Sequence, residues 1–334
     1  MSGAERWVRP LGTAAGDGWD VLITEGRDWH HTRLRVADLA AGDTRTLDGR
    51  DWEHIVVPLS GGVHVTAVAP DGSTHEAELA GRASVFAGPT DTAYVPARWR
   101  ITLRASSGPA RVALAGARVP ATAEQGGRAF RHVAAGDVPV ERRGAGTASR
   151  QVRNFGTPDV LDADALIACE VITPAGNWSS WPPHKHDVER PGEEAALEEI
   201  YYFETESTDV RGTDPVGYQR VYSSGADRPI DVLAEVRTGD VVLVPYGWHG
   251  PAMAAPDAHL YYLNVMAGPG PGRAWLICDD PAHAGVRDTW RDLPFDGRIA
   301  APGPIAKTPA AIDPAQTPAQ TPTPTQTPTC GGAA

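Results

Sequence analysis

Apolar residues recur along the chain in short runs separated by Gly, Pro or Asp. In the first half the runs are HIVVPL (54–59), VHVTAVA (63–69), RASVFAG (82–88), TAYVPA (92–97) and RITLRA (100–105). In the second half they are DALIACEVITP (164–174), EIYYFE (199–204), YQRVYS (218–223), DVVLVP (240–245) and HLYYLNVMA (259–267). Short apolar runs bounded by turn residues predict β-strands. Between the two sets, residues 119–150 are rich in Gly and charge, with weak periodicity, and predict a connection between two units. The piece ASVFAGPTDTAYVPARW also echoes GDVVLVPYGWHG, which points to duplication. Two sequential all-β barrels satisfy this pattern, because closure removes exposed strand edges. We expect a first barrel over 1–140, a second over 141–300 and a disordered tail over 301–334. The tail contains QTPAQTPTPTQTPT and no aromatic residue, too little apolar surface to fold.

Composition strengthens the β reading. The 334 residues include 36 Gly and 30 Pro, about a fifth of the chain, and helix interiors tolerate neither well. The net charge of -12 and the lack of basic stripes exclude nucleic-acid binding as an expectation. A small anionic substrate remains compatible, provided a few Arg or Lys residues create a local positive pocket. No apolar run approaches the roughly 20 residues that span a bilayer. MSGAERWVRP has no apolar stretch of a secretory signal. Three widely spaced cysteines contain no CxxC pair, which argues against a thiolate zinc site. A reduced cytoplasm is the expected compartment.

Candidate chemistry concentrates in NWSSWPPHKHDVERPGEEAALEEIYYF, residues 177–203. His184 and His186 are two residues apart, so on a strand both imidazoles face one side. A carboxylate follows at Glu198 or Glu199; alternation puts these two on opposite faces, so only one can join the imidazoles. His249 comes after the strand and turn GDVVLVPYGW. Three His and one Glu suit a divalent Zn, Mn, Fe or Ni ion. The remaining histidines, at 30, 31, 54, 64, 75, 132, 259 and 283, show no such pattern and are read as surface or packing residues. No G-x-G-x-x-G follows a strand, so neither nicotinamide nor flavin is expected.

The H-x-H pair, the Glu and the run Gly239, Pro245, Gly247, His249 resemble the two metal motifs of the cupin superfamily. His249 follows Gly247 one residue sooner than is usual there, and DVERPGEEAALE lengthens the gap between His186 and Glu199. SSWPPHKHD, LEEIYYF, YQRVY, GDVVLVPYGWH and YYLNVMAGP together resemble the 5-deoxy-glucuronate isomerase family of myo-inositol catabolism. The resemblance is strong over about 145–290, looser before it, and absent from the tail. It implies a bicupin of two jelly-roll barrels with a divalent metal held by His184, His186, Glu199 and His249. The first barrel has Arg98 and Trp99 near the aligned position and no H-x-H, which implies a metal-free barrel with a scaffolding or an oligomer role.

The resemblance also implies isomerisation of 5-deoxy-D-glucuronate to 5-dehydro-2-deoxy-D-gluconate, an intramolecular aldose–ketose redox change through an enediolate. The substrate carboxylate requires a cation. Arg220 is the first candidate, since Arg can clasp a carboxylate with two bonds. Arg150 and Arg153, at the entry to the second barrel, follow. Tyr202, Tyr222, Lys185 and Asp187 are candidate proton carriers, although Lys185 on a regular strand would point away from the two His. Trp178, Trp181 and Trp248 flank the ligands and are read as packing walls. A metal-dependent cupin dioxygenase and a noncatalytic sugar-binding bicupin are the competing functions.

Overall fold

A computed structural model describes residues 6–119, 127–209, 212, 214–270 and 272–299; the tail expected at 301–334 lies outside them. Both halves are built from β-sheet, as the runs imply. In the first half, Trp52–Val68 pairs with Thr92–Val95, Ala110–Arg118, Thr74–Arg82 and Arg100–Ala105, and Thr32–Leu39 pairs with Ala110–Arg118. In the second, one sheet runs in the order Val8–Arg9, Val241–Val244, Glu198–Ser207, Ala258–Ala267, Ile167–Thr173, Arg150–Gly156 and Val140–Arg143. Another orders Asp231–Val236, Gly217–Tyr222, Trp248–Ala254, His184–Lys185 and Cys278–Asp279. Among the described residues no helix is long and apolar enough to cross a membrane.

Two expected elements differ. HIVVPL and VHVTAVA form one strand of 17 residues, Trp52–Val68, rather than two strands and a turn. Its register shifts between Pro58 and Ser60, and again between Gly61 and Val63. Gly61 sits at φ 70°, where a Cβ would lie 2.3 Å from the Pro109 carbonyl oxygen, so the glycine makes a bend inside the strand. RASVFAG is not a strand: Thr74–Arg82 ends there, and Val85–Ala87 forms a single 3₁₀ turn.

Alternation then assigns the faces. Ile55, Val57, Leu59, Leu34, Val36, Ala113 and Ala115 pack into a core shared with Val152, Phe155, Ile200 and Leu263 of the second half. Val56, Ala37, Leu39, Val112 and Leu114 face the other way, against Val63, Val65, Leu79, Ile101 and Leu103 inside the first barrel. These strands are buried on both faces, which is why they carry near-continuous apolar sequence. Val8–Arg9 also crosses between the halves, pairing with Val241–Val244.

Carboxylates fasten the shared core. Glu198 Oε1 accepts the Thr32 and His31 amides at 2.6 and 2.7 Å, and its Oε2 accepts the His30 amide at 3.0 Å. Glu53 does the reverse. It accepts the amides of Ala165, Leu166 and Asp164 at 2.6, 2.7 and 2.9 Å, and the Tyr94 hydroxyl at 2.6 Å. Between them, Glu170 receives Arg82 through two bonds of 2.7 Å, Arg153 at 2.9 Å and the Tyr261 hydroxyl at 3.0 Å. Burial alone would raise the Glu170 pKa, but the two guanidinium groups outweigh it and hold the carboxyl at about 2.

A carboxyl held below its ordinary value of 4.5 stabilises the fold fully above that pH. The contribution fades as pH falls from there toward about 2. Glu170→Gln, which leaves two guanidiniums without their charge partner, is expected to lose about 3–5 kcal/mol near neutral pH. It should also flatten the acid limb of the stability curve, measured by chemical denaturation across that window. A variant as stable as the parent near neutrality would contradict this role.

Candidate metal centre

His184 lies in the short strand His184–Lys185, directly opposite His249 on Trp248–Ala254. Glu199 stands near the start of Glu198–Ser207, opposite Val244. The chain turns from Val244 to Trp248 through Gly247 at φ 93°, where a Cβ would sit 2.6 Å from the Tyr222 carbonyl oxygen. Glycine is therefore required at the turn that delivers His249.

The cluster is compact. One nitrogen from each of His184, His186 and His249 lies within 4.8 Å of those of the other two. Glu199 Oε2 is 3.1 Å from His186 Nε2 and 3.1 Å from His249 Nε2. Each Nδ1 faces a backbone carbonyl: Leu197 at 3.1 Å for His186, Gly247 at 3.1 Å for His249 and Pro182 at 3.4 Å for His184. A carbonyl only accepts, so Nδ1 carries the proton and the Nε2 lone pair is left for a ligand. His249 Nε2 is buried and faces Glu199 Oε2 at 3.1 Å without a well-formed hydrogen bond. Burial and the imidazoles of His249 and His186 push His184 well below its usual pKa, which keeps it neutral. Burial would raise Glu199, but the imidazoles of His186 and His249 outweigh it and hold the carboxyl at about 2. Three neutral-capable imidazoles and one ionised carboxylate, oriented from behind, fit a divalent metal ion.

The insertion between His186 and Glu199 braces this arrangement. Lys185 points away from the cluster, and its Nζ donates to Asp187 and to Glu194 at 2.6 Å each. Asp187 also accepts from Ser224 Oγ at 2.7 Å and from the Gly247 amide at 3.0 Å. It thereby ties the His-Lys-His segment to the turn before His249.

The other expected residues separate. Tyr222 and Arg220 line a cavity of about 340 Å³ with Trp181, Asp280 and His283, on the outer face of their strand: Tyr222 stands opposite Trp248, while Val221 stands opposite His249. The Tyr222 hydroxyl donates to Asp280, and burial and that carboxylate raise its pKa. Arg220 Nη1 is engaged by Asp231 at 2.5 Å. Arg150 is buried, donates to the Ala148 and Trp181 carbonyls at 3.1 and 3.4 Å, and lies 5.6 Å over Trp290, with no carboxylate bonded to it among the described residues. Arg153 is taken up by Glu170 and by the Val85 and Gly88 carbonyls in the shared core, so it does not face the cavity. Tyr202 faces the first barrel, bonded to Arg111 and Glu204 at 3.0 Å each, on the opposite side of its strand from Glu199. Of the Trp residues, Trp181 is a cavity wall, Trp248 lies 5.6 Å from Lys185 Nζ, and Trp178 is exposed and packs edge-on against Trp181.

Sequence reasoning passed over Tyr201. It shares the face of Glu199, stacks edge-on to His249 at 6.2 Å, and contacts Ser180 Oγ at 3.2 Å. The two-residue spacing from Glu199 was the available signal. Asp280, His283 and Arg287 arrive from a C-terminal segment about a hundred residues after the H-x-H pair, and no local pattern announces them. Arg287 pairs with Asp279 through bonds of 2.5 and 2.7 Å.

The chain matches the KduI/IolB family model over residues 7–286. It is 36% identical to a 5-deoxy-glucuronate isomerase of Geobacillus kaustophilus over 286 residues, 85% of this chain and 96% of that protein. It is 37% identical to the 5-deoxy-glucuronate isomerase of Bacillus subtilis strain 168 over 264 residues, 78% and 90% of the two chains. An IolB-like protein from Salmonella typhimurium superposes with a TM-score of 0.72 at 31% identity, covering 84% of this chain and 98% of that one. A Lactobacillus farciminis oxalate decarboxylase in complex with formate superposes with a TM-score of 0.55 at 12% identity, covering 86% and 96%. At that identity the likeness concerns the fold alone, which is the expected double cupin.

The opposite faces of Glu198 and Glu199 give a paired prediction. Glu199→Gln should lose bound divalent metal, measured by elemental analysis, while the fold persists. Glu198→Gln should keep the metal and lose about 1.5–3 kcal/mol of stability, the worth of a charged hydrogen bond. Equal metal loss in both variants would sink this division of labour.

Proposed function

The chain belongs to the KduI/IolB family, and from that membership and its inward-facing His–Glu cluster we propose that it isomerises 5-deoxy-D-glucuronate to 5-dehydro-2-deoxy-D-gluconate. The observation that carries this reading is the set of three imidazoles whose Nδ1 atoms are committed to backbone carbonyls, with Glu199 closing the cluster. The reaction fits the place in myo-inositol breakdown that the motifs imply.

The chemistry is balanced within one molecule. A proton leaves the carbon bearing the hydroxyl, the electron pair passes through an enediol, and a proton is added at the former aldehyde carbon. No external oxidant is consumed. A divalent ion held by His184, His186, Glu199 and His249 would supply polarisation of the substrate carbonyl and its neighbouring hydroxyl.

The protein's own groups have to bind, orient and move protons. Arg150 is the proposed anchor for the substrate carboxylate, because its guanidinium is buried and no carboxylate is bonded to it among the described residues. Arg220 lies on the outer face of its strand and spends Nη1 on Asp231, so it is assigned to bracing. Tyr201, on the face of Glu199 and edge-on to His249, is the proposed proton carrier; Tyr222, bonded to Asp280 on the face opposite Val221 and His249, is assigned to bracing. Lys185 and Tyr202 are assigned to bracing, since their polar atoms are bonded away from the cluster. Trp181 and Pro183 wall the cavity.

Incubation with 5-deoxy-glucuronate in deuterated water, under nitrogen, should give the ketone with carbon-bound deuterium, and a chelator should stop it. Turnover that requires oxygen would indicate the dioxygenase instead, and binding without product would indicate a sugar-binding protein. Tyr201→Phe should lower kcat by about 10²–10⁴-fold, the usual worth of a proton-transferring group. Arg150→Gln should act mainly on KM. An unchanged kcat in the Phe variant would remove Tyr201 from the reaction.

A further inference from the structure

The carboxylate of the metal cluster has a buried counterpart in the first barrel. His54 stands opposite Val95 as Glu199 stands opposite Val244. The strand partners Asp48 and Arg100, placed as His184 and His249 are, form an exposed ion pair instead. Arg98, at φ 71°, occupies the turn position of Gly247 at φ 93°. The first barrel therefore keeps the buried Glu199 position and fills it differently.

What fills the place is basic. Arg33, Gly116 and His54 form one row across three strands. A Cβ on Gly116 would lie 2.9 Å from Arg33 Cγ and 3.1 Å from His54 Cδ2, so the glycine makes room for the pair. Arg33 Nε donates to His54 Nε2 at 3.0 Å. His54 Nε2 is thus an acceptor and its Nδ1 carries the proton. That Nδ1 is fully buried and has no partner. Arg35, two residues along on the same face as Arg33, has a buried Nη1 that is also without a partner. Among the described residues no carboxylate forms an ion pair with Arg33, Arg35 or Arg50, although the Asp17 charge acts on Arg35; the buried guanidiniums of Arg82 and Arg153, by contrast, share Glu170. Burial and the charges of Arg35 and Arg50 push Arg33 down to about 8, the signature of a group short of a counter-charge.

We propose that the first barrel holds a second ligand site, for a small oxyanion, either a carboxylate or a phosphate, received by Arg33, Arg35 and the Nδ1–H of His54. The anion supplies the missing negative charge and the acceptors for two buried donors. This site is separate from the metal cluster and independent of the isomerase reading. Where the second barrel presents Glu199 to a cation, the first presents His54 and the neighbouring guanidiniums to an anion.

Two tryptophans report on it: the Arg33 guanidinium lies 4.5 Å over Trp52, and that of Arg35 lies 5.9 Å over Trp19. Full-length protein would be titrated with glucuronate and, separately, with inorganic phosphate, following tryptophan fluorescence and Tm. We expect a saturable change with at least one anion, retained in Glu199→Gln and weakened at least tenfold in both Arg33→Gln and Arg35→Gln. Arg35→Lys, which keeps the charge, should recover part of the affinity. Response to glucuronate alone would identify the carboxylate source, and response to phosphate alone the other. Circular dichroism would confirm that the variants are folded, and Arg35, only half-buried, is the safer substitution. No saturable response to either anion would overturn the proposal. So would a response that survives in both Gln variants, or one that disappears with Glu199→Gln.

Discussion

Two carboxylates, Glu53 and Glu198, each cross from one barrel to bind the backbone amides of the other, and the geometry of the metal cluster depends on that exchange. Glu198 is bonded in peptide sequence to Glu199. Once its two oxygens are committed to His30, His31 and Thr32, the next residue must point into the second barrel. The Glu199 carboxylate is thus set by the seam between barrels rather than by its own strand alone. His186 and His249 are set separately, through the Asp187 contacts and the Gly247 turn. Three elements distant in sequence meet at one point because each is anchored outside it.

Acidic groups dominate the chain's charge, yet its interior uses them as anchors. Glu53 and Glu198 satisfy backbone amides, and Glu170 neutralises Arg82 and Arg153. Burial opposes each of these, and several hydrogen bonds per carboxylate offset the cost. Arg150, bonded to the Trp181 carbonyl, and Arg33 and Arg35 in the first barrel are among the guanidiniums with no ion-pair partner among the described residues. Both positions suit anions despite the repelling charge of the molecule as a whole.

Much of this was legible in the residues. His184, His186 and His249 were found by spacing, and EIYYFE, YQRVYS and HLYYLNVMA by β-branched and aromatic runs. The strands Thr32–Leu39 and Ala110–Arg118 escaped notice for physical reasons. In the first, inward positions carry Arg33 and Arg35, so alternation reads as polar. In the second, four alanines lower the β signal. Parity decided the proton carriers: Tyr201, not Tyr202, shares the side of Glu199, and the sequence marks both alike. Arg153 looked available because its partner Glu170 lies on another strand. His54 carries no pattern in the sequence that separates it from a surface or packing residue; its partnerless Nδ1 follows from the pairing of its Nε2 with Arg33 on another strand.

The strand Val8–Arg9 carries an evolutionary consequence. It forms an outer strand of the second half's large sheet, beside Val241–Val244, although it precedes the whole first barrel in the chain. A gene fragment encoding only the second barrel would leave Val241–Val244 with a bare row of amides and carbonyls one strand away from Glu199. The two halves are interlaced in the chain. The second cannot be expressed as a stand-alone module without opening the sheet that carries Glu199.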